Sequence, residues 1–217
     1  MNNKQWLSSG NSKYANSVKT VLTWGIPALR SKTGLITCPG AGTCAKFCYA
    51  RQGRQAMSNC LQAQENRLKL AQSKDFVPEL LHEMFHRKWE MLRIHDVGDM
   101  YSEPYLEKWL NMMAFFPDRQ FFAYTKMVPM FKKHAAAIPK NFHVVFSLGG
   151  KWDHMVDVNK DNHSRIFETA AEAATYGYVE SPNEFPLSMN TGGTKEALVY
   201  HGCKSFNTCL KGKGGVK

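Results

Sequence analysis

The chain lacks any run approaching the roughly 18 uninterrupted apolar residues of a membrane-crossing helix. Its opening stretch, MNNKQWLSSGNSKYANS, also lacks the apolar segment of a secretory signal. The expectation is therefore a soluble protein of the cytoplasm with no membrane partner. Cysteine is sparse, six in 217 residues, and unevenly spread; in a reducing compartment such thiols read as metal ligands or reactive groups rather than as disulfides. No Cys-x2-Cys knuckle is present, so the usual pair of short zinc turns is missing. Helix-turn-helix, zinc-finger and RNA-recognition patterns are missing too. What is there suffices for a core: 43% of residues are hydrophobic and 12% aromatic, which excludes disorder as the main state and removes the need for disulfide staples.

A chain of this length reads as a single domain spanning 1–217. Residues 1–33 are polar and irregular, broken by Gly10, Gly25 and Pro27, and are expected to wrap the domain as an arm. Residues 34–37 are expected to form a short strand that opens an α/β core spanning 34–200 and runs into the cysteine loop 38–53. The stretch Ser58–Gln72 carries Leu61, Leu68 and Ala71 at helical spacing, which predicts an amphipathic helix. A second helix is expected over 77–89, with Ser73 or Asp75 as its cap. Met91–Ile94 is expected as a strand ending in His95-Asp96-Val97-Gly98-Asp99. After it Ser102 caps a helix with Pro104 in its first turn and Leu106, Trp109, Leu110 and Met113 on one face. Gln120–Thr125 and 142–148 read as strands, with a short helix over 130–137 between them and Gly149-Gly150 closing the second. A helix over 164–175 and two weaker strands at 178–179 and 186–189 complete the core. Strands separated by helices imply parallel pairing with right-handed crossovers, hence an α/β layer fold or an incomplete β/α barrel. In such folds the chemistry sits at the carboxyl ends of the strands.

Three cysteines lie within eleven residues, Cys38-x5-Cys44-x3-Cys48, in a loop that also holds Pro39, Gly40 and Gly42. Glycines permit backbone angles closed to other residues and proline stiffens the turn, so such a loop can curl three thiolates around one centre. Thiolates bind soft or borderline centres. One wrap of three thiols without a Cys-x2-Cys knuckle favours an iron-sulfur cluster over zinc, with unligated buried thiols as the third reading. Cys203 and Cys209 repeat the x5 gap near the C-terminus and are candidates to supply a fourth ligand. Cys60 reads as a packed helix residue.

A strand, a cysteine loop ending in Phe47-Cys48-Tyr49-Ala50 and then further β/α units resemble the layout of radical S-adenosylmethionine enzymes, although the gaps here are x5 and x3 where that superfamily has x3 and x2. That resemblance implies a [4Fe-4S] cluster on Cys38, Cys44 and Cys48, S-adenosylmethionine at an open iron, and part of a β/α barrel. More narrowly, Gly10-Asn11-Ser12-Lys13, Cys38-Pro39-Gly40-Ala41, Cys48-Tyr49-Ala50-Arg51, His95-Asp96-Val97-Gly98-Asp99 and Tyr124-Thr125-Lys126 resemble the gene product 88 family of phage proteins. This implies a phage origin, a host-cytoplasmic setting, a cluster-type site and closure of the cluster by one of the late cysteines.

His95, Asp96 and Asp99 follow a strand and are candidate catalytic groups; the alternative is turn formation by the aspartates. Lys126 and Ser147 sit at equivalent strand ends, and Lys126 joins the candidates. His82 and His86, at i and i+4, read as an exposed helical face. Lys204 and Lys211 with the terminal Gly212-Lys213-Gly214-Gly215-Val216-Lys217 read as a basic tail, 201–217. The formal charge of +10 points to nucleic acid or another polyanion as a partner, with ordinary surface charge as the alternative.

Overall fold

The computed structural model describes residues 5–9, 14, 19–180 and 193–199. Among the described residues seven strands form one sheet: β1 (Val21–Trp24), β2 (Met91–Ile94), β3 (Gln120–Thr125), β4 (Phe142–Ser147), β5 (His163–Phe167), β6 (Val179–Glu180) and β7 (Lys195–Val199). Their order is β1-β2-β3-β4-β5-β7-β6, and every neighbouring pair is parallel. The helices are α1 (Ser58–Gln72), α2 (Phe76–His86), α3 (Glu103–Met113), α4 (Val128–Lys133) and α5 (Ala170–Thr175). Among the described residues no helix is long and apolar enough to cross a membrane.

The first five strands are neighbours in space in the order in which they occur in the chain. Crossovers of one hand that always step the same way leave their helices on one face of the sheet. The core follows that rule. Leu22, Trp24, Leu92, Ile94, Phe121, Ala123 and Phe142 share one cluster with Leu68 of α1, Leu80 and Met84 of α2, Trp109 and Met112 of α3 and Phe131 of α4. Register places these strand residues on a common face, Trp24 beside Ile94 and Ile94 beside Ala123. At the far side α5 packs Ala173 on Phe167 and Ala197. At the centre the Phe76 ring lies 5.4 Å from Trp24, 5.4 Å from Trp109 and 5.6 Å from Tyr105, and the Trp24 indole donates to the Tyr105 hydroxyl at 2.8 Å.

The other face of the sheet is different. Tyr14, Val21, Met91 and Phe122 pack there with Tyr124, and Arg93, two residues on from Met91, shares that face. The Tyr124 hydroxyl donates to the Glu196 carboxylate of β7, although β4 and β5 stand between their strands. Three strand spacings of about 4.8 Å separate β3 from β7 in a flat sheet, so this bond closes over a face that curls inward.

Several elements fall elsewhere than the sequence reading placed them. Residues 34–37 make only the isolated bridge Arg30–Ile36; the strand that opens the sheet is Val21–Trp24, inside the expected arm. Its four residues are all buried, too short a run to show a period. The arm itself does wrap. Ser8 pairs with Thr23 through two backbone bonds of 2.9 and 2.8 Å, covering the outer edge of β1 as edge strands require. The Glu83 carboxylate receives the Trp6 and Leu7 amides at 2.7 and 3.1 Å. The expected helix over 164–175 divides into β5 and α5, because Thr169 caps α5 by accepting the Glu172 amide at 3.0 Å while the Glu172 carboxylate takes the Glu168 amide. A Thr-x-x-Glu pattern marks a helix start, and it was there to be read. The helix expected over 130–137 is α4 followed by a 3-10 turn at Ala135–Ala137. Strand β7 had no counterpart in the sequence reading, and residues 186–189 lie outside the described residues.

Replacing Phe76 by Ala is expected to lower unfolding free energy by about 3–5 kcal/mol. A urea titration checks this: the midpoint should fall with the slope unchanged, and an unmoved midpoint shows that the aromatic cluster does not centre on this ring.

Candidate functional site

Four strand ends meet beneath the cysteine loop. Past β1 the chain stays laced to the segment after β2, with the Asp96 amide donating to the Trp24 carbonyl and the Ile26 amide to the Val97 carbonyl, both at 3.0 Å. Gly98 fits here because its φ is +84° and a Cβ would lie 2.4 Å from Ile26 Cγ1. The Thr37 amide then donates to the Leu29 carbonyl at 3.0 Å, and the Asp99 amide to the Thr37 carbonyl at 3.1 Å, which sets Cys38 beside Asp99. The loop goes on to press on the ends of β3 and β4. A Cβ on Gly40 would stand 2.6 Å from the Lys126 carbonyl oxygen, and one on Gly42 would stand 2.9 Å from that of Gly149. The Cys44 amide donates to Gly149 O at 3.2 Å and the Lys151 amide to Gly40 O at 2.9 Å.

Two charged side chains hold this junction. Asp99 is buried, and its carboxylate accepts from the Met100 amide at 2.7 Å, the Thr125 hydroxyl at 2.6 Å and the Lys126 amide at 2.9 Å. The Lys126 ammonium donates to Ser147 O, Ser147 Oγ and Leu148 O at 2.7, 2.8 and 2.9 Å. An ammonium has three protons, and all three are engaged. Lys126 therefore ties β3 to β4 rather than presenting a proton for chemistry. Sequence reasoning missed Asp153, which folds the Gly149-Gly150 turn by accepting both amides at 2.8 and 2.9 Å.

Cys38, Cys44 and Cys48 are free, half-buried thiols. The Leu29 amide, whose residue adopts φ 62°, donates to Cys38 Sγ at 3.2 Å. Burial pushes the Cys38 thiol up to about 12; the Asp99 charge, Cys48 and Cys44 add to the rise, and the Leu29 amide opposes it. Burial also raises Cys48, opposed by the amides of Ala50 and Arg51 and reinforced by Cys44. The three thiols thus share one neighbourhood in which backbone N–H groups face two of the sulfurs. Among the described residues, no three His, Cys, Asp or Glu side chains gather around one point as a single metal ion would require.

The remaining candidates separate. His95, at φ 65°, turns into the helix-side core against the Tyr105 ring, 5.6 Å away. Burial lowers its pKa to about 3, partly offset by the Val97 carbonyl, so it is a neutral packing residue at physiological pH. Its Nε2 has no partner among the described residues. Asp96 turns the other way, raised by burial and countered by Arg93, Arg67 and the Thr23 hydroxyl. Cys60 stands in the first turn of α1, half-buried. Cys203 and Cys209 lie outside the described residues.

Two further features need a place: the His82 and His86 pair, which sequence reasoning set aside as a metal site without crediting its spacing, and Arg93, which it passed over. His82-Glu83-Met84-Phe85-His86 has the H-E-x-x-H spacing of zinc proteases, and the two rings lie 4.3 Å apart. The Glu83 carboxylate, which that chemistry needs as a base, instead takes the Trp6 and Leu7 amides and the Arg87 guanidinium, the last at 2.6 Å. The exposed-face reading of the two histidines holds for that physical reason. The second feature is Arg93, on the concave face with its guanidinium 3.1 Å from the Tyr14 hydroxyl and 5.3 Å from the Tyr124 ring centre. A cation inside the apolar strand Met-Leu-Arg-Ile is the signal that could have found it.

The family model for Gene product 88 matches residues 2–213. The chain is 35% identical over 104 residues to the Gene 88 protein of Mycobacterium phage D29, a stretch covering 42% of this chain and 43% of that protein. The match thus spans less than half the length of that relative. No solved structure matches the chain.

Two outcomes are expected. Gly40→Ala forces the loop off the Lys126 carbonyl and lowers stability by about 1–3 kcal/mol, measured by urea titration; an unchanged midpoint shows that the close approach is dispensable. In metal-free protein Cys38 keeps its proton in the folded state up to about 12 and loses it in the unfolded state near 9. Its contribution to stability is thus full below pH 9 and is lost as pH rises from 9 towards 12. Cys38→Ala should flatten that part of the stability profile by about 1 kcal/mol between pH 8 and 10; parallel profiles would refute the shift.

Proposed function

The chain belongs to the Gene product 88 family, and on that premise we propose that it is a phage iron-sulfur protein of the host cytoplasm. Cys38, Cys44 and Cys48 would hold a [4Fe-4S] cluster, and Cys203 or Cys209 would complete the ligand set. The observation that carries this reading is the loop itself: three thiols in one neighbourhood, with backbone amides aimed at Cys38 and Cys48. Hydrogen bonds to ligand sulfurs are a means by which proteins tune such clusters. A cluster places each thiolate on a different iron, which suits sulfurs that are neighbours without sharing one point; zinc draws its thiolates around a single ion. Such a group supplies one-electron chemistry when closed by four thiolates, and an open iron when held by three. The chain's own contribution is positional. Asp99, Lys126 and Asp153 fix the strand ends, and Gly40 and Gly42 let the loop seat on them.

A second reading rests on the concave face. Five strands in sequential order, helices on one side and a face that curls inward over Arg93, Tyr124 and Glu196 support a partial β/α barrel of the radical S-adenosylmethionine type, with the loop at its mouth. On that reading the cluster iron stays open for S-adenosylmethionine, and the polar groups below the loop receive a substrate.

Strictly anaerobic purification should yield brown protein with about four irons and four sulfides per chain. Alanine at Cys38, Cys44 or Cys48 should abolish both colour and iron. Loss in Cys203→Ala or Cys209→Ala would identify the closing ligand. Retention in both, together with consumption of S-adenosylmethionine by reduced protein, would establish the second reading instead. Colourless, iron-free protein refutes both.

A further inference from the structure

The positive charge of this chain is not evenly spread. The first 64 residues hold eight Lys and Arg and no Asp or Glu, and Glu65 is the first carboxylate. The cysteine loop falls in this acid-free part. Its short 3-10 turns, Thr43–Phe47, Tyr49–Arg51 and Gly53–Ala56, expose Lys46, Arg51 and Arg54, and none of the three is in an ion pair among the described residues. Exposed Lys151 joins them, its ammonium 2.8 Å from the Pro39 carbonyl. The carboxylates nearest the loop are spent inward: Asp99 on Met100, Thr125 and Lys126, Asp153 on two amides, and Asp96 beside Arg93 and Arg67. The outward field over the half-buried thiols is thus positive. The same stretch of chain carries two large exposed side chains, Tyr49 at 51% and Met57 at 55%, the Tyr49 hydroxyl donating to the Asp96 carbonyl.

We propose that this surface docks a small acidic electron-carrier protein against the cysteine loop. The inference rests on the cluster reading and names the partner of that site. Opposite charge steers such encounters and sets their orientation, and transient redox pairs use small contact areas. Cys48 lies between Lys46 and Arg51 in the chain and Cys44 two residues before Lys46, so a carrier seated on this surface would lie close to both sulfurs. One electron would pass from the carrier's reduced cofactor to the cluster, with no bond made or broken. A single-stranded nucleic acid fits this patch less well, because it needs a row of rings on which bases stack. Tyr49 is the only exposed ring between Cys38 and Met57, Phe47 being buried.

The test compares the full chain with Lys46→Gln/Arg51→Gln/Arg54→Gln, both purified anaerobically and assayed for iron and sulfide. Isothermal titration with oxidised flavodoxin, an acidic carrier, should show the unaltered chain losing at least tenfold in affinity between 20 and 300 mM NaCl. The triple variant should already bind about tenfold more weakly at 20 mM. Stopped-flow reduction by flavodoxin hydroquinone should slow in parallel, whereas reduction by the methyl viologen radical cation should be unchanged or faster; a fall in both rates would mean a damaged cluster and count against the proposal. Equal affinities for the two proteins at equal iron content overturn the docking surface alone. So does tighter binding of a single-stranded oligonucleotide than of flavodoxin, abolished in the variant. Iron-free parent protein overturns the cluster reading and with it the redox character of the surface.

Discussion

The Asp99 carboxylate is the contact on which the site's geometry depends. It stands at the end of β2, accepts a hydroxyl and an amide from the end of β3, and its own residue's amide holds the carbonyl of Thr37. A buried carboxylate left short of partners would cost several kcal/mol, so each of these donors is under pressure to stay. Through them the end of β2 fixes both the next strand and the segment that delivers Cys38. Lys126 extends the same lacing to β4, and the glycines of the loop then have a rigid surface to lie on. Remove the carboxylate and the thiols lose their common reference, even though no thiol bonds to it.

The same constraint explains why the polar groups lie where they do. Helices packed on one side give the sheet an apolar face whose Phe76, Trp24 and Trp109 rings fill the interior. The opposite face, with no helix of the described residues on it, carries Arg93, Tyr124 and Glu196. Parallel sheets are ordinarily covered on both faces and read as continuous apolar strands. A sheet that curls onto its own second face can instead keep charged groups there, provided they pair across the interior as Tyr124 does with Glu196. Charge inside and a pinned loop above are two consequences of one topology.

How much of this was legible depended on the kind of signal. The loop announced itself because three thiols among glycines and a proline are chemically conspicuous, and 142–147 because Phe-His-Val-Val-Phe is strongly β-forming. Strand β1 was hidden because Val-Leu-Thr-Trp is too short to show a period and sits among polar residues. Strand β5 was absorbed into a helix because Ser164 and Arg165 interrupt its apolar character; Thr169 and Glu172, as a capping pair, marked the true boundary. The ionisable cluster after β2 was visible as a cluster, but its division was not. His95 turns into the core and Asp99 toward the loop because the backbone goes left-handed at His95 and again at Gly98, which residue types alone do not reveal. Lys126 looked like a catalytic amine because nothing in the sequence shows three carbonyl and hydroxyl oxygens waiting for it.

The H-E-x-x-H run shows the converse, a strong motif emptied by tertiary structure. Two histidines one turn apart and a glutamate between them satisfy the spacing, yet spacing fixes only which residues share a helix face. The arm needs an acceptor for the amides of Trp6 and Leu7, and Arg87 one turn along supplies the countercharge, so Glu83 is drawn to the buried side. The cysteine loop has no such competitor. Backbone amides face two of its thiols, and Asp99, the acid beside Cys38, is already held by three donors. The difference between these two candidate metal sites lies in what else each residue is asked to hold: the helix has committed the glutamate that its chemistry needs as a base, whereas the thiols of the loop are free cysteines.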